Sequence, residues 1–179
     1  MAFVPVDASI PGIRSLFEFR PETGAPLRRL AHALLHGESP LTKGERELIA
    51  AFISHGNQCT FCTMSHAAAA RHHYGSEADV VDAVVYRGDH SVVSSKLQAL
   101  LVIAEKVRRG GRIVTDEDVA AARAEGAVDR DIHDAVLISA AFCMFNRYVD
   151  GLQALTPRDP DAYIEMGKRM AEVGYDGGR

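Results

Sequence analysis

Helix starts and stops succeed one another along almost the whole chain, and alternating strand patterns are scarce. Pro11 stands at a helix start, before apolar residues at Ile13, Leu16 and Phe17. Leu27, Leu30 and Leu34 repeat at helical spacing until Gly37 stops them. Thr42, with Glu45 three residues on, forms a capping box that opens a helix over 44–55, and Gly56-Asn57 breaks it. The next helix is expected to start at or near Cys59 and to end at Gly75. Ser76 with Asp79 resembles another cap. Helical stretches follow over 94–109, ended by Gly110-Gly111, over 115–126, capped by Thr115, and over 129–152. A last one covers 159–173, and Gly177-Gly178 reads as a frayed tail. The pattern predicts an all-α fold, a compact bundle of about seven or eight helices joined by short turns. It is read as one domain over 1–179, with its core at about 11–155 and a C-terminal helix at about 159–173.

A chain of 179 residues buries roughly 70% of its unfolded surface and needs neither disulfide nor metal merely to stay folded. The net charge is -4, with signs mixed and no basic block, which argues against nucleic acid or an anionic membrane as partner. The longest apolar run, Ala135 to Phe145, is too short to span a bilayer. The N-terminus lacks a basic region followed by a long apolar stretch, so no signal peptide is expected. An odd count of three cysteines fits no secreted scaffold, and a cytoplasmic, reducing compartment is expected.

Residues 59–66 read CTFCTMSH. Cys59, placed at or just before the first turn of its helix, lies in the field of free N–H groups that favours thiolate over thiol. In general, CxxC sites at helix N-termini lower a cysteine pKa from about 8.5 to about 3.5–7.5. Cys62 and His66 are four apart and share one helix face. The histidine needs orienting, and the preceding helix offers Glu45 and Glu47 once the chain turns back at Gly56-Asn57. A closed zinc site needs four ligands, and no second CxxC exists. A structural disulfide across so short a loop gains little. A redox dithiol is the preferred reading. No βαβ context makes it a thioredoxin.

The stretch ELIAAFISHGNQCTFCTMSH resembles the active-site segment of the AhpD-like alkylhydroperoxidase and carboxymuconolactone decarboxylase superfamily. Residues 12–50 resemble the N-terminal part of its peroxidase-related branch, and 114–152 the helical pair that completes the domain. The resemblance implies Cys62 as the peroxide-reacting cysteine, Cys59 as its resolving partner, His66 as proton relay and Glu47, twelve residues before Cys59, as the orienting carboxylate. It implies a thiol-dependent peroxidase with no cofactor and no metal, acting on a small organic hydroperoxide or hydrogen peroxide. An outside dithiol, a lipoyl-bearing or thioredoxin-like protein, is the implied reductant. The implied assembly is a homo-oligomer, a trimer or hexamer. Phe61 stands where the best-known AhpD proteins carry a histidine, so their relay does not carry over whole. A redox-sensing or thiol–disulfide exchange module is the alternative.

The remaining candidates read as structural. Cys143 is expected to be a buried small hydrophobe. His55, His72 and His73 are expected to be charges near helix ends. Asn146, Arg147 and Asp150 are expected to make an ion pair or interface contact. Apolar residues near the site, Phe61 and Met64, hint at a small organic peroxide over a charged one.

Overall fold

The structure, a computed structural model, describes residues 2–176, so Gly177 and Gly178 lie outside the described residues. Among those residues there are nine α-helices and no strand. They are α1 (Ile13–Phe19), α2 (Pro21–His36), α3 (Lys43–Gly56), α4 (Thr60–Tyr74), α5 (Asp79–Tyr86), α6 (Ser95–Gly110), α7 (Asp116–Ala124), α8 (Asp129–Gly151) and α9 (Asp161–Val173). α1 and α2 count separately because Pro21 has no N–H to continue the ladder, and Arg20 is left between them. As the first residue of α2, Pro21 gives up only a hydrogen bond that position never makes. α2 therefore begins ahead of the Leu27–Leu34 repeat and carries Pro26 inside it.

The helix-start signals act as expected at two places. Thr42 Oγ1 accepts from the Glu45 N–H at 3.1 Å, while Glu45 Oε2 accepts from the Thr42 N–H at 2.8 Å. Thr115 and Asp118 repeat the arrangement at the start of α7. Ser76 does not cap α5. It lies in a 3-10 turn over Gly75–Glu77, and Ala78 precedes the helix with no side-chain cap. Gly75 ends α4 at φ 57°, and the chain tightens into that turn before Ser76 can take a cap position.

α3 and α4 lie side by side, joined by a short turn, and α9 packs on α4. α8 packs on α3 and α6. The main core runs between these helices, with Leu35, Leu48, Ile49, Leu100, Leu101, Ile138 and Phe142 nearly inaccessible. A second cluster surrounds the start of α4: Leu16, Cys59, Phe61, Cys62, Val149, Ala154 and Tyr163. Small residues allow its close packing. α9 crosses α4 at Gly167, where a Cβ would come within 2.5 Å of Ala68 Cβ. Gly12, at φ 61°, lets the N-terminal segment pass over Phe61, whose ring a Cβ there would overlap. That segment is tied to the loop after α8 by Phe3 N–H to Leu152 O (3.0 Å) and Gly12 N–H to Leu155 O (2.8 Å). No helix among the described residues is long and apolar enough to cross a membrane.

Candidate active site

The turn before α4 sets the site. Gln58 takes φ 62°, a left-handed conformation that costs a non-glycine residue about 1–2 kcal/mol. Its N–H reaches His55 O at 2.9 Å, and the Cys59 N–H reaches Ser54 O at 3.0 Å, so two carbonyls at the end of α3 are satisfied. The chain reverses and delivers Cys59 as the N-cap of α4. Cys59 is fully buried and Cys62 is 2% exposed. Both are free thiols here. The Cys59 thiol is pushed up, first by its hydrogen bond with the Cys62 side chain and then by burial. Asp150 lies beside Cys59, and burial pushes its carboxyl up while Cys59 pulls it down.

α3 runs alongside α4, so Glu47 and His66 meet. His66 Nδ1 lies 2.7 Å from Glu47 Oε2, with Glu47 fully buried. Glu45 is occupied in its capping box and takes no part. Phe142 meets the His66 ring edge-on at 4.6 Å between centroids. With Nδ1 held by a carboxylate, Nε2 is the nitrogen left for proton exchange.

Tyr175, which follows α9, completes this group and was not anticipated. Its hydroxyl donates to Glu47 Oε1 at 2.6 Å and lies 3.3 Å from His66 Nδ1. Its backbone N–H reaches His32 Nδ1 at 3.3 Å. Burial, then the Glu47 charge, pushes the phenol well above its ordinary range, so Tyr175 stays a donor. The sequence carried no local signal for it, because it lies 109 residues from His66 and in no motif.

Two small cavities adjoin here. The inner one, about 40 Å³, is lined by Cys62, His66, Phe142 and Tyr175 among others. The outer one, about 70 Å³, shares Ile13, Phe17, Phe61, His66 and Tyr175 with it. Met64 lines neither. It faces a separate groove with His55 and Tyr86, because it is two residues past Cys62 and so points away from the Cys62–His66 face.

Other residues depart from expectation. Cys143 is only half-buried, 3.5 Å from Asn57 Nδ2 at the α3–α4 turn. His73 is not a solvated helix-end charge: burial pushes its pKa down, and its Nε2 is buried without a partner. Among the described residues Arg147 and Asp150 form no ion pair. Arg147 is exposed and donates to Cys143 O, while Asn146 is buried, donating to Ser54 Oγ at 3.0 Å and accepting from Asn57 at 2.9 Å. His55 does stand in the last turn of α3, edge-on to Tyr86. His72 lies 3.6 Å from Glu172 of α9.

This helical scaffold has counterparts among known proteins. The carboxymuconolactone decarboxylase family matches residues 21–105. An AhpD-core, uncharacterized peroxidase-related protein from Ralstonia eutropha JMP134 is 30% identical, with a TM-score of 0.78 over 89% of this chain and 82% of its own. An uncharacterized peroxidase-related protein from Silicibacter sp. TM1040 is 26% identical, with a TM-score of 0.78 over 87% of this chain and 79% of its own. A protein of unknown function from Agrobacterium tumefaciens shares the fold at 21% identity, with a TM-score of 0.67 over 80% of this chain and 97% of its own. No curated protein matches the chain. The chain belongs to the AhpD and carboxymuconolactone decarboxylase superfamily, in its peroxidase-related branch.

Proposed function

We propose that this protein is a thiol-dependent peroxidase of the alkyl hydroperoxide reductase type. The observation that carries this reading is the buried Glu47–His66 pair, at 2.7 Å, on the cavity that Cys62 lines. The Cys62 thiolate attacks the distal oxygen of a hydroperoxide, and the O–O bond breaks as the S–O bond forms. Sulfur loses two electrons and the peroxide gains them. The leaving oxygen departs as alcohol or water with a proton from His66, leaving Cys62 as sulfenic acid. Glu47 and Tyr175 hold His66 in position. Cys59 then attacks the sulfenic sulfur, the S–S bond forms as the S–O bond breaks, and the departing hydroxide takes up a proton and leaves as water. Asp150, beside Cys59, takes the Cys59 thiol proton and releases it, so that no net proton is gained or lost. An outside dithiol, lipoyl-bearing or thioredoxin-like, returns the two electrons. The reaction needs no cofactor or metal. The relatives described as peroxidase-related support this reading.

Stopped-flow oxidation of the fully reduced protein by cumene hydroperoxide tests it. The expected result is a rate far above that of a free thiol, lost in Cys62→Ser. In Cys59→Ser oxidation should halt at a sulfenic acid that a dimedone-type reagent captures. A rate no better than free cysteine would leave a redox-sensing or thiol-exchange module instead.

A further inference from the structure

The outer cavity has a cationic rim. Arg14 comes from α1, Arg28 from α2 and Arg169 from α9, and all three line it. The chain as a whole carries a net charge of -4, so this rim runs against the overall balance. Arg169 is lowered from its ordinary range by burial first and then by the charge of Arg14, with Arg28 acting in the same sense. Among the described residues no carboxylate pairs with Arg14 or Arg169. Arg28 lies 5.9 Å from the Phe17 ring centroid. α1 and α9 thus hold the like charges of Arg14 and Arg169 together at one opening, where an anion between them relieves their repulsion.

Inward from the rim the walls turn apolar. Ile13, Phe17 and Phe61 line both cavities, and the inner one reaches Cys62. The two adjoining cavities thus carry arginines on one, apolar walls shared by both and a thiol on the other. A ligand matching that order has an anionic head, a short aliphatic chain and a reducible group at the far end. Arginine's planar fork matches a carboxylate with two parallel hydrogen bonds. We propose that the Arg14–Arg169 rim binds the carboxylate of an aliphatic hydroperoxy acid and directs its hydroperoxide to Cys62. This rests on the peroxidase reading above and departs from the neutral substrate that Phe61 and Met64 hinted at.

The test compares a terminal hydroperoxide of octanoic acid with its methyl ester as oxidants of Cys62. At low ionic strength the acid is expected to react about tenfold faster than the ester, with salt reducing the gap. In the Arg14→Gln/Arg169→Gln double variant the ratio should fall to near one, and Arg169→Lys should keep part of it. Equal rates in the native protein, or a preference that survives in the double variant, would overturn the proposal. A second readout needs no peroxide: octanoate, but not octanol, should protect Cys62 from alkylation by iodoacetamide, and the double variant should lose that protection. If cumene hydroperoxide reacts no faster with this protein than with free cysteine, the peroxidase reading fails. The alkylation arm then decides the anion site by itself, and absence of octanoate protection would overturn it.

Discussion

The two apolar clusters differ in what encloses them. The larger is built from residues 31–145, almost wholly aliphatic and aromatic, and its members come mostly from helices α2 to α8. The smaller holds both thiols of the CxxC, and its walls come from both ends of the chain: Val4, Val6 and Leu16 on one side, Ala154, Tyr163 and Met166 on the other. The larger cluster supplies stability by burying area, while the smaller encloses both thiols in apolar walls. The family match, over residues 21–105, includes the dithiol and its glutamate but leaves out most of what encloses them.

The largest expected effects set one cluster against the other. Glu47→Gln and His66→Ala should each slow Cys62 oxidation by roughly 10²-fold or more, since they remove a positioned proton donor or its anchor. Their helical circular dichroism should persist. The double variant should be little worse than either single one, because the pair acts as a unit. Leu101→Ala in the larger cluster should do the reverse, costing about 2–5 kcal/mol of stability while the rate of Cys62 oxidation holds. Native rates in both Glu47→Gln and His66→Ala would dissolve the distinction and leave the helix N-terminus alone to activate the thiol.

Tyr175→Phe is expected to come next. It removes one hydrogen bond to a buried carboxylate, and such bonds contribute about 1.5–3 kcal/mol. The ring and its packing against His36 and His66 stay. The prediction is a rate loss of about tenfold with the helix signal unchanged. A native rate would reduce Tyr175 to packing.

That a carboxylate of α3, Glu45 or Glu47, would meet His66 was legible because the meeting is nearly local, and the family resemblance singled out Glu47. A capping box fixes where α3 starts, Gly56-Asn57 fix where it ends, and a short turn must then lay α4 alongside it. Tyr175 was not legible, because its place depends on where α9 lands on α4. That landing is decided by Gly167 meeting Ala68, a contact between two small residues that no periodicity marks. The arginine rim is hidden for the same reason: its members lie on three helices and share a mouth only after packing. His73 was misread because a histidine in the last turn of a helix is usually solvated, whereas here α2 covers it with His36.

A smaller effect concerns that cover. Burial, then the Lys43 charge, lowers His36 to about 4, with Glu47 opposing and His32 and His73 adding to the shift. Unfolded, the same imidazole takes its proton near 6.5. Between these values the unfolded chain binds more protons, so stability is fully present above about pH 6.5 and falls as pH drops towards about 4. The melting temperature should decline across that window, and His36→Leu should flatten part of the decline. His36 also packs edge-on to Tyr175 at 5.7 Å between centroids, so the same acidification should first disturb the packing of Tyr175 against the larger cluster. Near-ultraviolet circular dichroism of Tyr175, compared with the loss of helix signal, reads that order.

The smallest expected effect lies in the turn that joins the two regions. Gln58 holds a left-handed backbone, φ 62°, to deliver Cys59 to the start of α4. Glycine there removes a strain of about 1–2 kcal/mol but adds about 0.5–1 kcal/mol of unfolded-state entropy. Gln58→Gly should thus stabilise the protein by about 0.5–1 kcal/mol, a rise of a few degrees at most in melting temperature. The same change loosens the turn whose Cys59 N–H is pinned to Ser54 O at 3.0 Å. Closure of the Cys59–Cys62 disulfide after Cys62 is oxidised should therefore slow, while the first oxidation step, which draws on His66 and Glu47, should not. A single stopped-flow trace with two phases separates these steps. If Gln58→Gly lowered stability, the left-handed turn would not be a strained one. If it stabilised the fold and left closure unchanged, the turn would be strained for packing alone, and the position of Cys59 would have to be set by Asp150 and the apolar wall around it.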